Sequence, residues 1–229
     1  MFLFGDTHAA AGLDLPVESG RAILLCGSGT YRKSNAYLAV LPEERADRRD
    51  ALRYFAGLDP ASGEPVWSSR EEDGAALFHQ PCLGELSVAW NEDLRKWLML
   101  YNCGKAGSKI LVRTADRPWG PWSPSQVLFD PTRDAGFCVF MNARKRPRTA
   151  LRNPGCPPIA DKGRSFTAGD PYAPYLVARF ARGIPGRESD IYFLMSTWNP
   201  YNVVLMKARL RLREPQAIRQ ADAGDNTQP

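Results

Sequence analysis

The chain has 229 residues, 44% hydrophobic, 24% charged and 10% aromatic, with 19 Gly and 19 Pro. A chain of that length and composition buries a substantial core, which excludes intrinsic disorder and a disulfide-stapled mini-protein. Its net charge of +5 admits an acidic partner, and no stretch is apolar for long enough to read as a membrane span.

In chain order, the apolar opening Met1 to Phe4 is cut off by Gly5-Asp6, too early for a secretory signal. A carboxylate closing an apolar run faces a cleft, or else caps an Asx turn. Residues 22–40, 97–114 and 191–208 each carry a β-rich run, a short polar turn and a second β-rich run, the pattern of a β-hairpin. Residues 84–91 and 174–180 read as additional strands preceding the second and third hairpins, and only residues 42–55 hint at a helical period. A Trp-Ser element follows the first two hairpins, at Trp67-Ser68 and Trp122-Ser123. Four short strands per unit with an aromatic signature near its end is the plan of a β-propeller blade. Residues 131–173 break that plan as a long loop, and residues 213–229 read as a polar, disordered tail after one propeller-like domain spanning residues 1–212.

The five cysteines (Cys26, Cys82, Cys103, Cys138 and Cys156) are odd in number and include no Cys-x-x-Cys pair, which suits neither a zinc cluster nor a complete disulfide framework. Cys26 and Cys103 lie in apolar runs and read as core. Positive charge gathers at Arg144, Lys145, Arg146 and Arg148, and again at Arg209, Arg211, Arg213 and Arg219. Neither cluster is interleaved with aromatics as base stacking requires, so a loop and the wet face of a strand explain them better than nucleic acid does.

No phosphate loop, dinucleotide fingerprint, zinc-protease motif or nucleophile elbow occurs, and the only histidines are His8 and His79. Neither a metal nor a cofactor is therefore expected, and carboxylate chemistry remains. Asp6 is one candidate. Glu85 is the other: it opens a strand in which Leu86, Val88 and Trp90 face one side and Glu85, Ser87 and Ala89 the other. On a channel-lining strand, burial raises a carboxyl pKa and suits it to general-acid work. The hairpin turns bring Tyr31, Arg32, Ser34, Asn102, Trp198, Asn199 and Tyr201 toward one end of a propeller. Aromatic rings beside amide and guanidinium donors suit a sugar's apolar faces and hydroxyl rim.

Phe4-Gly5-Asp6-Thr7, residues 27–38 (GSGTYRKSNAYL), residues 53–58 (RYFAGL), Gly84-Glu85-Leu86-Ser87-Val88, residues 118–123 (PWGPWS) and residues 196–201 (STWNPY) together resemble a bacterial family long catalogued as a domain of unknown function and linked to endo-D-arabinanases, five-bladed propeller glycoside hydrolases. The resemblance implies hydrolysis of α-D-arabinofuranosyl linkages, with Asp6 as base or nucleophile and Glu85 as acid. Asn35 departs from it, standing where many relatives carry Asp. Relatives are often secreted. A catalytically inactive carbohydrate-binding propeller, or a polyanion-binding scaffold using residues 144–152, are the competing expectations. Five blades need roughly 40 to 60 residues each, so the expected ring is incomplete, with three to four recognisable blades whose unclosed edges invite self-association.

Overall fold

The computed structural model describes residues 3–4, 13, 15–17, 21–103, 109–142 and 169–212. These form three antiparallel sheets, here called blades. Blade 1 runs in the order β1 (Leu3–Phe4), β2 (Ala22–Ser28), β3 (Ala36–Pro42), β4 (Arg53–Leu58) and β5 (Pro65–Ser68). Blade 2 is β6 (Leu83–Asn91), β7 (Lys96–Cys103), β8 (Lys109–Ala115) and β9 (Gln126–Phe129). In blade 3, β10 (Pro171–Leu176) and β11 (Arg182–Ile184) pair with one edge of β12 (Glu188–Trp198), and β13 (Tyr201–Arg211) pairs with the other. The fold is all-β and follows the plan of an incomplete propeller.

Blade 2 is the middle layer. Its β7 holds the continuous run Trp97, Leu98, Met99, Leu100 and Tyr101, all buried, because both faces of this sheet are covered. On one face Leu86, Val88, Trp97, Met99 and Tyr101 pack with Leu24, Cys26, Leu38, Val40 and Phe55 of blade 1. Across the other face, Ala89, Leu98, Leu100, Ile110 and Val112 pack with Leu176, Ile191, Phe193 and Met195 of blade 3. Strand β12 alternates instead, with Ile191, Phe193 and Met195 inward, since blade 3 is covered by blade 2 on one side only.

All three expected hairpins form, as β2–β3, β7–β8 and β12–β13. The inward and outward sets expected for residues 86–90 also hold, with Ser87 Oγ accepting a hydrogen bond from Leu176 N–H at 3.0 Å. Three expectations need correction. The hint of a helix resolves into two short 3-10 turns, Glu43–Arg45 and Arg49–Ala51, because the segment is too polar to bury a helical face. Residues 178–180 also form a 3-10 turn, and the strand precedes them as β10. Pro65–Ser68 is a strand, but Trp119 and Trp122 lie in a non-strand segment. Their proline-flanked backbone cannot sustain a ladder, and both rings fill the blade 1–blade 2 core, Trp119 edge-on to Trp67 at 6.2 Å. Finally, Cys103 is disulfide-bonded to Cys82.

Arg209 and Arg211 lie on the outer face of blade 3, paired with Asp190 (2.6 Å) and Glu188 (2.8 Å) as the wet face of a strand. Arg144 to Arg148, Arg213, Arg219, Cys156 and the tail from residue 213 lie outside the described residues. Among the described residues no helix is long and apolar enough to cross a membrane.

Leu100→Ala, at a fully buried position of the middle layer, should cost ~2–5 kcal/mol in denaturant unfolding. Hydrogen bonds from Arg209 and then Lys207 hold the Asp190 carboxyl well below its usual range. A depressed folded-state value contributes stability above the unfolded carboxyl value of ~3.9 and loses it as pH falls through the folded one. Asp190→Asn should therefore lower Tm at pH 7, and the gap from the parent chain should shrink steadily as thermal scans are taken to acid pH.

Candidate active site at the end of the blades

The connection between β2 and β3 is a tight polar tip that leans on blade 2. Ser34 Oγ accepts from Gly29 N–H at 2.9 Å, and Lys33 N–H closes a turn on Thr30 O at 2.9 Å. Two backbone bonds dock the tip on the start of β6: Arg32 N–H to Leu83 O (2.9 Å) and Leu83 N–H to Ser34 O (3.2 Å). Asn35 Oδ1 accepts from Gln80 N–H at 2.7 Å, a bond that an Asp would accept equally well. Ser34 and Asn35 therefore shape the tip and its seat, whereas the side chains of Tyr31 and Arg32 reach outward to other blades.

Tyr31 Oη donates to Glu85 Oε1 at 3.0 Å. Arg32, in the left-handed region at φ 54°, places Nη1 3.4 Å from Asp170 Oδ2. Glu85 belongs to β6 and Asp170 immediately precedes β10, so consecutive residues of one turn engage carboxylates from two neighbouring blades. Burial, and then the charge of Glu85, push the Tyr31 phenol above its ordinary value. It stays protonated at neutral pH and acts as the donor. Glu85 Oε2 is buried and has no hydrogen-bond partner among the described residues.

Both strands are irregular where the carboxylates enter. Between Leu83↔Cys103 and Leu86↔Tyr101, β6 carries an extra residue relative to β7, which makes Gly84-Glu85 a bulge. Strand β10 has a similar shift between Tyr172 and Tyr175. Bulges re-aim side chains and are common beside active sites.

The amides expected from the hairpin turns form the floor. Asn102, at the end of β7, is fully buried, and neither its Oδ1 nor its Nδ2 has a partner among the described residues. It lies directly against Gly84, where an added Cβ would come within 2.6 Å of Nδ2. Asn199, after β12, also abuts a glycine, though through its backbone: a Cβ on Gly169 would come within 2.7 Å of the Asn199 backbone carbonyl. Asn199 also accepts from Asn142 through both backbone (2.9 Å) and side chain (3.3 Å), and Trp198 N–H bonds to Asp170 O at 2.9 Å. Tyr201 differs: it pairs with Trp198 across the β12–β13 turn, and its side chain is exposed.

Beneath the floor, Gln80 Oε1 accepts from Tyr101 Oη (2.7 Å) and Arg113 Nη2 (2.6 Å), while the Cys82–Cys103 disulfide ties the segment after Gln80 to the strand end bearing Asn102. Burial raises the Tyr101 phenol, so it too remains a donor.

The structure thus gathers Tyr31, Arg32, Glu85, Asn102, Trp198 and Asn199 at one end of the blades. Asp6 lies outside the described residues. Asp170 and Asn142 were missed by sequence reasoning, and for Asp170 a signal existed. The dipeptides Gly5-Asp6, Gly84-Glu85 and Gly169-Asp170 share one form, a glycine followed by an acid. In the two that are described, the glycine admits the neighbouring asparagine and the acid joins the cluster. No group of three or more His, Cys, Asp or Glu among the described residues is placed to hold a metal ion.

Residues 2–207 match the model of a family described as Domain of unknown function (DUF4185). The chain belongs to this family. No curated protein matches this member. Among solved structures, it is similar to the glycoside hydrolase, family 43 YxiA protein from Bacillus licheniformis, at 12% identity and a TM-score of 0.36. That match covers 83% of this chain and 39% of the other, so this DUF4185 chain spans well under half the length of that protein.

Because Asn102 is fully enclosed, Gly84→Ala should displace it. The expected outcome is a loss of ~1–3 kcal/mol in denaturant unfolding, the usual cost of overpacking. Adding Asn102→Ala, which removes the amide that the new Cβ would meet, should make the Gly84→Ala step cost less than it does in the parent chain; an unchanged cost in the double variant would show that the amide is not the obstacle.

Proposed function

We propose that this member of the family is a glycoside hydrolase acting on a furanosidic polysaccharide, by endo-type cleavage of α-D-arabinofuranosyl linkages. The observation that carries the reading is the state of Glu85: Tyr31 holds one oxygen, and the other is buried without a partner among the described residues, beside a neighbouring strand that brings in Asp170. Hydrolysis of a glycosidic bond needs one carboxylic acid to protonate the departing oxygen and one carboxylate to act on water or on the anomeric carbon. Glu85 is assigned the proton transfer. The acid step takes Glu85 in its protonated form: as the C–O bond breaks, that proton goes to the leaving oxygen, and the water oxygen that joins the anomeric carbon gives up its own proton to the second carboxylate.

Two candidates exist for that second carboxylate. Asp170 is engaged by Arg32 in the same cluster, and Asp6 is the residue that the family resemblance nominates. The Arg32 guanidinium supplies hydrogen-bond donors for sugar hydroxyls and the Trp198 ring suits an apolar sugar face, while Asn102, fully enclosed, lies beneath them and makes no direct contact with the sugar. One observation favours the binding-only alternative: Arg32 already occupies one oxygen of Asp170.

Reducing-sugar release from purified D-arabinan tests the proposal. The parent chain should release oligosaccharides, and Glu85→Gln should lower kcat by ~10²–10⁴ with an unchanged unfolding profile. The second carboxylate is whichever of Asp170→Asn and Asp6→Asn gives a loss of similar size. Absence of products at protein levels where an authentic endo-arabinanase digests the same polymer would overturn the hydrolase reading, and glycan binding without turnover would establish the alternative.

A further inference from the structure

We propose that blade 1 carries a second glycan-binding subsite on the face turned away from blade 2, separated from the carboxylate cluster only by the β2–β3 tip. It takes the same class of ligand as the reading above, and rests on that reading only for the identity of the glycan.

A cavity of about 500 Å³ opens on this face, within the ~300–1,000 Å³ range of ligand sites. Its shape follows from the sheet register. Tyr37 on β3 is paired with Gly27 on β2, and Tyr54 on β4 is paired with Ala39 on β3. Paired residues of antiparallel strands share a face, and so do residues two apart along one strand. Both tyrosines therefore stand on the outer face, each beside a cross-strand neighbour with little or no side chain. The small residues and Leu25 form a low floor, and the two rings rise from it as walls. Behind Tyr37 the chain returns at Gly74, where an added Cβ would lie 3.9 Å from the ring, close enough to support it without covering its open side. Tyr37 is 37% exposed although it lies inside a strand.

The rim supplies the polar part. Glu71 and Glu72 bring two carboxylates, kept in place by Arg49 at 3.8 Å and Arg70 at 2.7 Å, and Lys33 brings an ammonium from the tip. Aromatic walls suit the C–H faces of a sugar ring, and carboxylates with an ammonium suit its hydroxyls as acceptors and donor. Each carboxylate is already paired with an arginine, so the rim offers acceptors and a donor without a strong field of either sign, which suits a neutral glycan. The tip is shared between the two sites: Tyr31 and Arg32 reach the carboxylate cluster, while Thr30, Lys33 and Ser34 border the cavity. A chain long enough to cross the tip contacts both.

The test is a calorimetric titration of an α-D-arabinofuranosyl hexasaccharide into the full chain carrying Glu85→Gln, repeated with Tyr37→Ala and Tyr54→Ala added, and followed in parallel by amide NMR without the tyrosine substitutions. A hexamer of galacturonic acid serves as the acidic comparison. The double alanine variant should bind about tenfold more weakly or worse, as expected for removing aromatic anchors; Tyr37→Phe with Tyr54→Phe should restore most of the loss. Amide shifts should extend over residues 33–37, 54 and 71–74, and the acidic hexamer should bind more weakly than the neutral one. Binding that ignores both tyrosines, shifts confined to residues 31–32, 85, 102 and 170, or no binding of either hexamer would each overturn the subsite. Tyrosine-dependent binding by a chain that cleaves no arabinan would keep the subsite and sink the hydrolase reading. Cleavage without tyrosine dependence would do the reverse.

Discussion

One turn spans three sheets, and the candidate site exists only because it does. A tip built of Gly, Ser, Thr and Lys has little apolar surface with which to order itself. Its two backbone bonds to Leu83 fix it on blade 2 instead, and each such bond contributes ~1 kcal/mol net. That offsets the ~1–2 kcal/mol cost of holding the non-glycine Arg32 in the left-handed region. With the backbone fixed, Tyr31 and Arg32 diverge to Glu85 and Asp170 on different blades. The cluster is therefore a product of assembly: it depends on blade 2 being buried on both faces, because that burial sets the height of the three blade ends relative to one another.

Much of the fold was legible because periodicity reports burial. A run of five consecutive apolar residues in β7 belongs to a sheet covered twice, and strict alternation in β12 belongs to one covered once. The turns of three similar hairpins had to meet at one end, which placed Tyr31, Arg32, Asn102, Trp198 and Asn199 together before any coordinates. Other features carried no periodic signal. Asp170 follows a long segment without alternation, so no periodicity announced a strand start and only the Gly169-Asp170 dipeptide marked it. The Cys82–Cys103 bond depends on the β6 bulge, which brings residue 83 opposite residue 103 and shifts the ladder by one residue before Leu86. The two Trp-Ser elements looked alike in sequence, yet only Pro65–Ser68 is a strand: the prolines of Pro-Trp-Gly-Pro-Trp-Ser withhold ladder donors and its tryptophans serve as core wedges.

Polar residues in turns were legible as polar, but their division of labour was not. Ser34 and Asn35 spend their side chains on the backbone of the tip and of Gln80, while the adjacent Tyr31 and Arg32 do not. Sequence shows no difference between the two pairs. The difference comes from the left-handed turn at Arg32, which separates the inward-bonded half of the tip from the half that reaches across the blades.

The outer face of blade 3 and the blade ends differ in how completely their polar atoms are satisfied. On the outer face, Asp190 is bonded to Arg209 and Lys207, and Glu188 to Arg211, all close to solvent. Such a network is satisfied, screened by salt and of modest worth. At the blade ends the balance is reversed. Glu85 Oε2 and both amide atoms of Asn102 are buried without hydrogen-bond partners among the described residues, and each such atom costs ~1–3 kcal/mol. An apolar residue at either position would fit a structural role better. The unmet hydrogen-bonding capacity flanks one bulge, with Glu85 in it and Asn102 packed against its glycine, behind the turn that also ties in Asp170; buried polar groups left unpaired in this way call for an explanation other than stability.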